Sequence, residues 1–426
     1  MRKLLYILLL GVMPWFSVGC EKEGFVTDDG GVKLAFSTDT LTFDTVFTTI
    51  GTTTRMVAVY NRTSENLRLS TVTLAGGTAS RFRMNVDGDT SLTVRNIEIE
   101  AGDSIFIFVQ ANINPSDATT PFLVEDAIVF GNGQRLVLTA WGRNAVYHRL
   151  LPGDSTWYTP VDCEDWDHTR PHVFLDPAAV LDGHTLTLYN GDELYFGDGA
   201  LLVVDSNAHL RVQGTEEQPV LFTSLRHDGW YDFLPGQWQT LWFYNYSTGN
   251  VIDHAVVENG TGGIRCYPGS QLTVTNSVIR NMSDCGIVGQ GATVTGRNLL
   301  VYDCLADFTA LMGGSYDFRQ CTFANYWTYT ARKIENIVLS NNMIVDGEVL
   351  GGNLLKADFR DCIIWGTYQK EVLLSELEGF VMNYNLDLHS IVKGGEWSED
   401  PQFTDPYEDD YTLKEGSPAE GIGYQF

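Results

Sequence analysis

Two arginines that occupy the same position of a repeated pattern are the first candidates for chemistry. Arg297 and Arg319 are 22 residues apart, and a stacked guanidinium pair suits a uronate or sulfate, because arginine binds planar anions at two points. With Asp303 and Asp317 they form the best candidate catalytic set for an acidic polysaccharide, since a lyase needs both a base and a neutralising cation. The alternative is structural, because Asp317 precedes Arg319 by two residues and could neutralise it.

Aromatic residues form a second group of candidates. Trp242, Tyr244 and Tyr302 lie in strand-like segments where their rings could face outward. Aromatic rings bind cations and other weakly positive groups over their faces, and the C–H groups of a sugar ring are weakly positive and apolar. We therefore predict these three residues as glycan-binding side chains, with packing in the core as the alternative.

A short acidic segment is the next candidate, for metal binding. Asp162-Cys163-Glu164-Asp165-Trp166-Asp167-His168 concentrates carboxylates, and His172 follows it. Carboxylates could bind Ca²⁺, but the spacing matches neither an EF-hand loop nor a zinc motif. We predict an acidic linker, no resident metal and no cofactor, with Ca²⁺ as the alternative.

One short pattern recurs along the second half of the chain. A polar residue that tolerates a left-handed backbone stands at intervals of 20 to 22 residues, with an apolar residue three positions after each of the first six. These polar anchors are His254, Asn276, Asn298, Gln320, Asn341, Asp361 and Asn383.

A period of this length without a helical pattern predicts a solenoid of β-coils that stack about 4.8 Å apart. Stacking aligns the apolar positions into one core, which a single coil could not form. In the predicted stack, Arg319, Ser340 and Arg360 occupy the same position of three successive coils, so Ser340 separates the two arginines. Cys321 and Cys362 would then lie two coils apart, beyond the reach of a disulfide.

The repeat resembles the right-handed parallel β-helix superfamily known from pectate lyases. The resemblance covers residues 185–426, from Leu186–Phe196 and the corner Pro235-Gly236-Gln237-Trp238 to a closing segment that begins at Asp400-Pro401-Gln402-Phe403. It implies that the C-terminal segment caps the last coil, since solenoids protect their open ends. The residues two positions after the anchors, including Val278, Leu300 and Ile363, form an apolar column that faces outward. We therefore predict that another segment covers this column, either the folded-back C-terminal segment or a partner.

The segment before the repeat has a different pattern. Residues 32–145 contain short alternating strands separated by turn signals such as Asp87-Gly88 and Gly131-Asn132-Gly133. This spacing predicts an immunoglobulin-like β-sandwich. Residues 146–184 are predicted as the linker and the entry to the β-helix, so the fold class is all-β with two domains.

The N-terminus has the features of an export signal. Residues 1–19 contain Arg2 and Lys3, an apolar stretch and a small-residue cleavage site. Ser17-Val18-Gly19-Cys20 resembles the lipobox of bacterial lipoproteins, which implies lipidation of Cys20 and a tether over residues 20–31. Lipobox, sandwich and β-helix together resemble surface lipoproteins of Bacteroidetes, and this implies a lipid-anchored location at the outer membrane, facing the cell surface.

Charge and architecture restrict the possible functions. The formal net charge is −27, and removal of residues 1–19 makes it −29, which argues against a nucleic-acid partner. We predict a non-enzymatic surface protein that binds a glycan or supports another envelope protein. The alternative is a polysaccharide lyase or glycoside hydrolase that acts on an acidic polysaccharide, but the fold alone supplies no reaction.

Overall fold

A computed structural model describes residues 24–27, 31–116, 120–153, 155–226 and 229–425. The predicted lipidation site, Cys20, therefore lies outside the described residues, as does most of the predicted tether. The chain divides into two compact units, one built from the described parts of Met1–Asn114 and Phe122–Gly142, the other from Pro115–Pro121 and Arg143–Phe426. No helix among the described residues is long and apolar enough to span a membrane.

The first unit is a β-sandwich. One sheet has the order β1-β5-β9-β10-β3 with β7 also paired to β5, and the other has the order β2-β4-β8-β6. Its strands are β1 (Val26–Thr27), β2 (Ala35–Phe36), β3 (Thr40–Phe47), β4 (Arg55–Tyr60), β5 (Leu67–Leu74), β6 (Phe82–Val86), β7 (Thr93–Ile99), β8 (Ser104–Ala111), β9 (Phe122–Phe130) and β10 (Arg135–Arg143). Alternation along β10 buries Leu136, Leu138 and Ala140 in the core that both sheets share.

The second unit is a right-handed parallel β-helix, so the predicted fold class is confirmed. Its earlier strands are β11 (Val146–His148), β12 (Thr159–Pro160), β13 (His172–Phe174), β14 (Ala178–Val180), β15 (Thr185–Tyr189), β16 (Glu193–Phe196), β17 (Leu202–Val204), β18 (His209–Gln213), β19 (Val220–Ser224), β20 (Leu241–Phe243), β21 (Asn250–Asp253), β22 (Ala255–Glu258), β23 (Ile264–Cys266) and β24 (Gln271–Arg280).

The later strands include two that bend around the corners of the coil. They are β25 (Cys285–Tyr302), β26 (Ala306–Arg319), β27 (Thr322–Asn325), β28 (Ile337–Ser340), β29 (Asn342–Val345), β30 (Glu348–Gly351), β31 (Leu354–Arg360), β32 (Ile363–Gly366), β33 (Val372–Ser375), β34 (Asn385–Leu388), β35 (Ile391–Val392), β36 (Phe403–Asp405) and β37 (Asp410–Leu413). Within the described ranges, short 3-10 helices span Gly77–Ala79, Gly229–Phe233 and Pro406–Glu408.

Each complete coil contributes to three parallel faces. Face A contains β14, β17, β20, β23 and β28, face B contains β15, β18, β21 and β31, and face C contains β16, β19, β22, β27 and β32. The bent strands β24, β25 and β26 continue these faces. The parallel pairing starts at Val146, where β11 pairs with β13, so the stack begins inside the segment predicted as linker and β-helix entry.

The bend between faces B and C contains the predicted polar anchors. His254, Asn276, Asn298, Gln320 and Asp361 all have a positive φ near 50°, a conformation that asparagine and aspartate tolerate better than most residues. The amide Nδ2 of Asn298 donates to Oδ1 of Asn276 at 3.1 Å, and Asn276 in turn donates to Asp253 at 2.8 Å. An amide ladder therefore connects successive coils.

The predicted anchors Asn341 and Asn383 are wrong. Arg319 pairs directly with Arg360, and the next left-handed residue after Asp361 is His389. Between Gln320 and Asp361 the chain makes one long coil, which carries a loop over residues 326–336 and the antiparallel hairpin β29–β30. Together these insertions are nearly as long as one regular coil. The sequence pattern therefore predicted two coils between Gln320 and Asp361 where the structure has one.

The C-terminal segment folds back along the outside of face C. Phe403, Tyr411, Ala419 and Ile422 pack on the outward column that includes Leu300 and Ile363. The predicted cover of this column is therefore a part of the same chain. The backbone N–H of Gln425 donates to Asn298, well before the last coil, so the segment does not simply cap the end of the solenoid.

Candidate functional site

A polar cleft lies where face C ends and the next face A begins. We call it the carboxyl cleft, and its cavity has a volume of about 140 Å³. The floor is formed by the last residues of face C on successive coils and by the left-handed residues that follow them. The lining residues are Asp232, Phe233, Glu258, Asn259, Arg280, Asn281, Tyr302, Asp303, Thr328, Tyr329, Tyr407 and Asp409.

Glu258, Arg280 and Tyr302 stand in one outward column of the repeat, 22 residues apart. The Arg280 Nε donates to Glu258 Oε2 at 2.8 Å, and its Nη1 donates to the Tyr302 hydroxyl at 2.8 Å. Thr223 donates to the other oxygen of Glu258 at 2.9 Å. Burial raises the pKa of Tyr302 to about 12, so its hydroxyl keeps its proton. The column is therefore a rigid, fully hydrogen-bonded floor.

Asp303 lies beside this column at a left-handed position of the chain. Its Oδ1 accepts hydrogen bonds from the backbone N–H of Tyr326 at 3.0 Å and from the Tyr411 hydroxyl at 3.3 Å. Burial, together with the nearby charge of Asp409, raises the pKa of Asp303 to about 7. The side chain is therefore partly protonated at neutral pH, an unusual state for an aspartate.

Asp409 approaches Asp303 from the turn between β36 and β37. Its backbone has a positive φ. Burial raises the pKa of its carboxyl group, which also shares a hydrogen bond with Asp303. Arg280 Nη1 lies 4.0 Å from Asp409 Oδ2. Two carboxyl groups that share a hydrogen bond cannot easily both be ionised, so the pair holds a transferable proton close to neutral pH.

Aromatic side chains form the rim of the cleft. Phe233, Tyr329 and Tyr407 are 66%, 43% and 64% exposed. A separate pair of amides in the floor holds the Phe233 loop in place. The Asn281 Nδ2 donates to the Phe233 carbonyl at 2.7 Å and to Asn259 at 2.7 Å. The Tyr329 hydroxyl donates to the same carbonyl and ties the 326–336 loop to this side.

The predicted catalytic residues occupy two separate places. Asp303 lies in the carboxyl cleft, at the end of face C. Arg297, Arg319 and Asp317 lie at the end of face B, which is next to the start of face C and so on the other side of that face from the cleft. Arg319 Nε is 3.0 Å from Asp317 Oδ1, and Lys356 Nζ is 2.5 Å from Asp317 Oδ2. The hydrogen bond from Arg319, with a smaller effect of Lys356, lowers the pKa of Asp317 to about 2. Asp317 is therefore a poor base.

The predicted glycan-binding residues are also divided. Trp242, Tyr244, Tyr267 and Trp157 form an aromatic patch on the outside of the β-helix, with ring centroids of Trp242 and Tyr267 5.1 Å apart. Tyr244 and Trp157 are 40% and 54% exposed, so this patch faces solvent. Tyr302, by contrast, is 4% exposed and packs on Tyr411, so it offers the cleft its hydroxyl and not a ring face.

The acidic segment is held by internal contacts. Asp162 accepts from the backbone N–H groups of Glu164 and Asp165, and Asp167 pairs with Arg170 at 2.6 Å. His168 lies 2.8 Å from Asp192. Within the described residues, no three histidine, cysteine or acidic side chains converge in a way that could hold a metal ion.

Several cleft residues were missed at the sequence level. Glu258 and Arg280 stand four residues after the anchors His254 and Asn276, as Tyr302 does after Asn298. Reading that column across coils would have brought them together with Asp303. No local signal places Asp409 or Phe233 there, because both reach the cleft through tertiary folding. No family model matches this chain, and a search of curated proteins found no match.

Proposed function

We propose that the protein is an exported lipoprotein that uses its β-helix to bind a glycan. The export signal and Cys20 support a lipid anchor, since several acyl chains hold a protein on a membrane without a spanning helix. The acidic residues after Cys20 support a position at the outer membrane facing the cell surface, with the sandwich as a spacer. The alternative partner, another envelope protein, would use the same exposed β-helix.

The observation that carries glycan binding is the carboxyl cleft. It combines a concave shape, a floor of fixed hydrogen-bonding groups and an exposed aromatic rim, which are the features of sites for small polar ligands. Phe233, Tyr329 and Tyr407 can contact the apolar faces of sugar rings, while the half-exposed carboxyl of Asp409 can accept hydrogen bonds from hydroxyl groups.

The charge of the cleft favours a neutral or amino-sugar glycan. Arg280 is the one cation among the lining residues that the structure describes, and Glu258 already neutralises it. Asp303, Asp409 and Asp232 would repel a uronate. The cleft therefore gives no support to the acidic polysaccharide that the sequence suggested as the substrate of an enzyme.

Binding is tested with the soluble chain, residues 24–426, against neutral, amino-containing and acidic oligosaccharides by calorimetric titration. We expect Tyr329→Ala and Phe233→Ala each to weaken binding about five- to tenfold, because one aromatic contact contributes about 1 kcal/mol. Tyr384→Ala removes a ring that is equally exposed, at 43%, and serves as the matched control. Equal affinity of the rim variants and the control would refute the site.

The aromatic patch supplies a second contact area for a long glycan. Trp242→Ala should weaken binding of a polysaccharide while leaving binding of a short oligosaccharide in the cleft unchanged. Equal losses for both ligands would show that the patch is not a separate contact area.

Glycoside hydrolysis is a second candidate, and the buried, partly protonated carboxyl of Asp303 favours it. Hydrolysis needs one carboxyl that donates a proton to the leaving oxygen and another that acts as base or nucleophile. An aspartate with a pKa of about 7 suits the first role. Asp409 shares a hydrogen bond with Asp303, so it is closer than the roughly 5 Å or more that separates the two carboxyl groups of a glycosidase and does not fill the second role. If the protein is a hydrolase, Asp303→Asn should abolish release of reducing ends but preserve binding; if it only binds, neither wild type nor variant releases product.

A further inference from the structure

Cys321 and Cys362 are stacked directly on each other inside the β-helix. Arg319 pairs with Arg360 and Thr322 with Ile363, so the two cysteines occupy the same position of adjacent coils. The backbone N–H of Ile363 donates to the Cys321 carbonyl at 2.9 Å. The sequence register placed them two coils apart and excluded a bond between them, and the long coil corrects that conclusion.

Both thiols are free in the structure, and the register sets the backbone at a spacing that a disulfide can span. Neighbouring coils are about 4.8 Å apart, inside the range of roughly 4.4–6.8 Å between the Cα atoms of disulfide-bonded cysteines. Both side chains are fully buried. Cys321 Sγ lies 3.2 Å from the Arg319 carbonyl, and Cys362 Sγ lies 3.2 Å from the Arg360 carbonyl. The equivalent contacts place the sulfur atoms in equivalent positions, one above the other.

We infer that Cys321 and Cys362 form a disulfide bond when the chain folds in an oxidising compartment. Each thiol gives up one proton and one electron, the two sulfur atoms bond, and the electrons reduce a small-molecule or protein disulfide to two thiols. The bond forms before the coil is closed, because burial then removes both sulfur atoms from reagents. In the folded chain burial also raises the pKa of Cys362 well above its usual value, which suppresses the reactive thiolate.

The bond would join the two ends of the longest coil. The chain between Cys321 and Cys362 contains the 326–336 loop and the β29–β30 hairpin, the two insertions of this coil. Closing a loop of this length restricts the unfolded chain and so stabilises the folded one. Two other buried cysteines stack on different residue types: Cys266 on Phe243 and Gly289, and Cys285 on Ala306.

Peptide mass spectrometry tests the bond directly. The soluble chain is refolded with oxidised and reduced glutathione, denatured, alkylated without reductant and digested, so that the result does not depend on where the protein resides in the cell. We expect a linked peptide that contains unalkylated Cys321 and Cys362, while Cys266 is alkylated. Alkylation of both stacked cysteines, or a bond from either of them to another cysteine, would overturn the inference.

Thermal unfolding gives an independent readout. Reductant present during refolding should lower the Tm of the wild type by roughly 5–10 °C. Cys266→Ala should retain this shift, and Cys321→Ala and Cys362→Ala should lose it. A shift of the same size in all four proteins would contradict a bond between the stacked pair. If a variant fails to fold, the linked peptide of the wild type still decides the question.

Discussion

Asp303 couples the pH to the stability of the β-helix. Its pKa rises from 3.8 in the unfolded chain to about 7 in the folded one. A raised carboxyl pKa stabilises the folded state fully below about pH 4, and this contribution is lost as the pH rises through 7. A shift of this size corresponds to at most about 4 kcal/mol.

We therefore expect the urea-unfolding free energy of the wild type to fall between pH 5 and pH 8 more steeply than that of Asp303→Asn. The variant keeps the shape of the side chain and cannot ionise. The charge of Asp303 helps to raise the pKa of buried Asp307, and its hydrogen bond lowers that of Asp409, so the difference between the two proteins reports the coupled titration of Asp303 with these neighbours. Parallel pH profiles would show that Asp303 is not the titrating group.

The buried ion pair of Arg332 and Glu371 should stabilise the long coil. Both side chains are nearly inaccessible, and Arg332 Nη2 lies 2.6 Å from Glu371 Oε2. Glu371 also accepts from the backbone N–H groups of Tyr368 and Asn336. Arg332→Ala leaves a buried carboxylate without its cation, so we expect a loss of about 3–5 kcal/mol in urea unfolding.

Arg265→Ala is the control for this loss. Arg265 pairs with Asp284 on the surface of the same unit, where the two side chains are 31% and 51% exposed to water. An exposed pair contributes less than about 1 kcal/mol. A similar loss in both variants would mean that the buried pair has no special role.

At the level of the strands, the amide ladder combines backbone conformation with hydrogen bonding. Asn276 has a φ of 48° and bonds to Asp253 and Asn298. Asn276→Gly keeps the left-handed backbone and loses the bonds, whereas Asn276→Val loses both. We expect the valine variant to be about 1–2 kcal/mol less stable than the glycine variant in urea unfolding. Equal stability would exclude backbone strain as the reason for asparagine here.

The regular coils could be predicted from the sequence, because apolar columns and polar anchors recur where each coil has the same length. From His254 to Gln320 the predicted anchors are the left-handed residues of the structure. The pattern failed at Asn341, because residues 326–336 and the β29–β30 hairpin add nearly the length of one coil. The Asn341 amide instead bonds the carbonyls of Leu377 and Phe380, a tertiary contact that no periodicity reveals.

The site was predictable only in part for the same reason. Asp303 belongs to the repeat, so it could be named from the sequence. Its pKa is raised by burial and by the charge of Asp409 and lowered by the hydrogen bond from Tyr411, and both of these residues lie more than 100 residues away along the chain. Those residues reach Asp303 only when the C-terminal segment folds back. The sequence left open whether this segment or a partner covers the outward apolar column of face C.

At the level of the whole molecule, the C-terminal segment protects the outside of face C. Deletion of residues 400–426 would expose the column of Leu300, Ile363 and Trp365 to water. We expect the shortened chain to bind a hydrophobic dye and to self-associate at high concentration, as measured by dye fluorescence and light scattering. A monomeric shortened chain that does not bind the dye would contradict the role of the segment as a cover.

We propose above all that the carboxyl cleft binds an uncharged or amino-bearing glycan. The most direct measurement is the affinity of wild type and Phe233→Ala for three oligosaccharides of equal length that are neutral, amino-bearing or uronate-bearing. We expect binding of at least one of the first two, weaker binding to the variant, and no binding of the uronate. Preferential binding of the uronate, with wild type and variant alike, would contradict it and direct attention to the arginines at the end of face B.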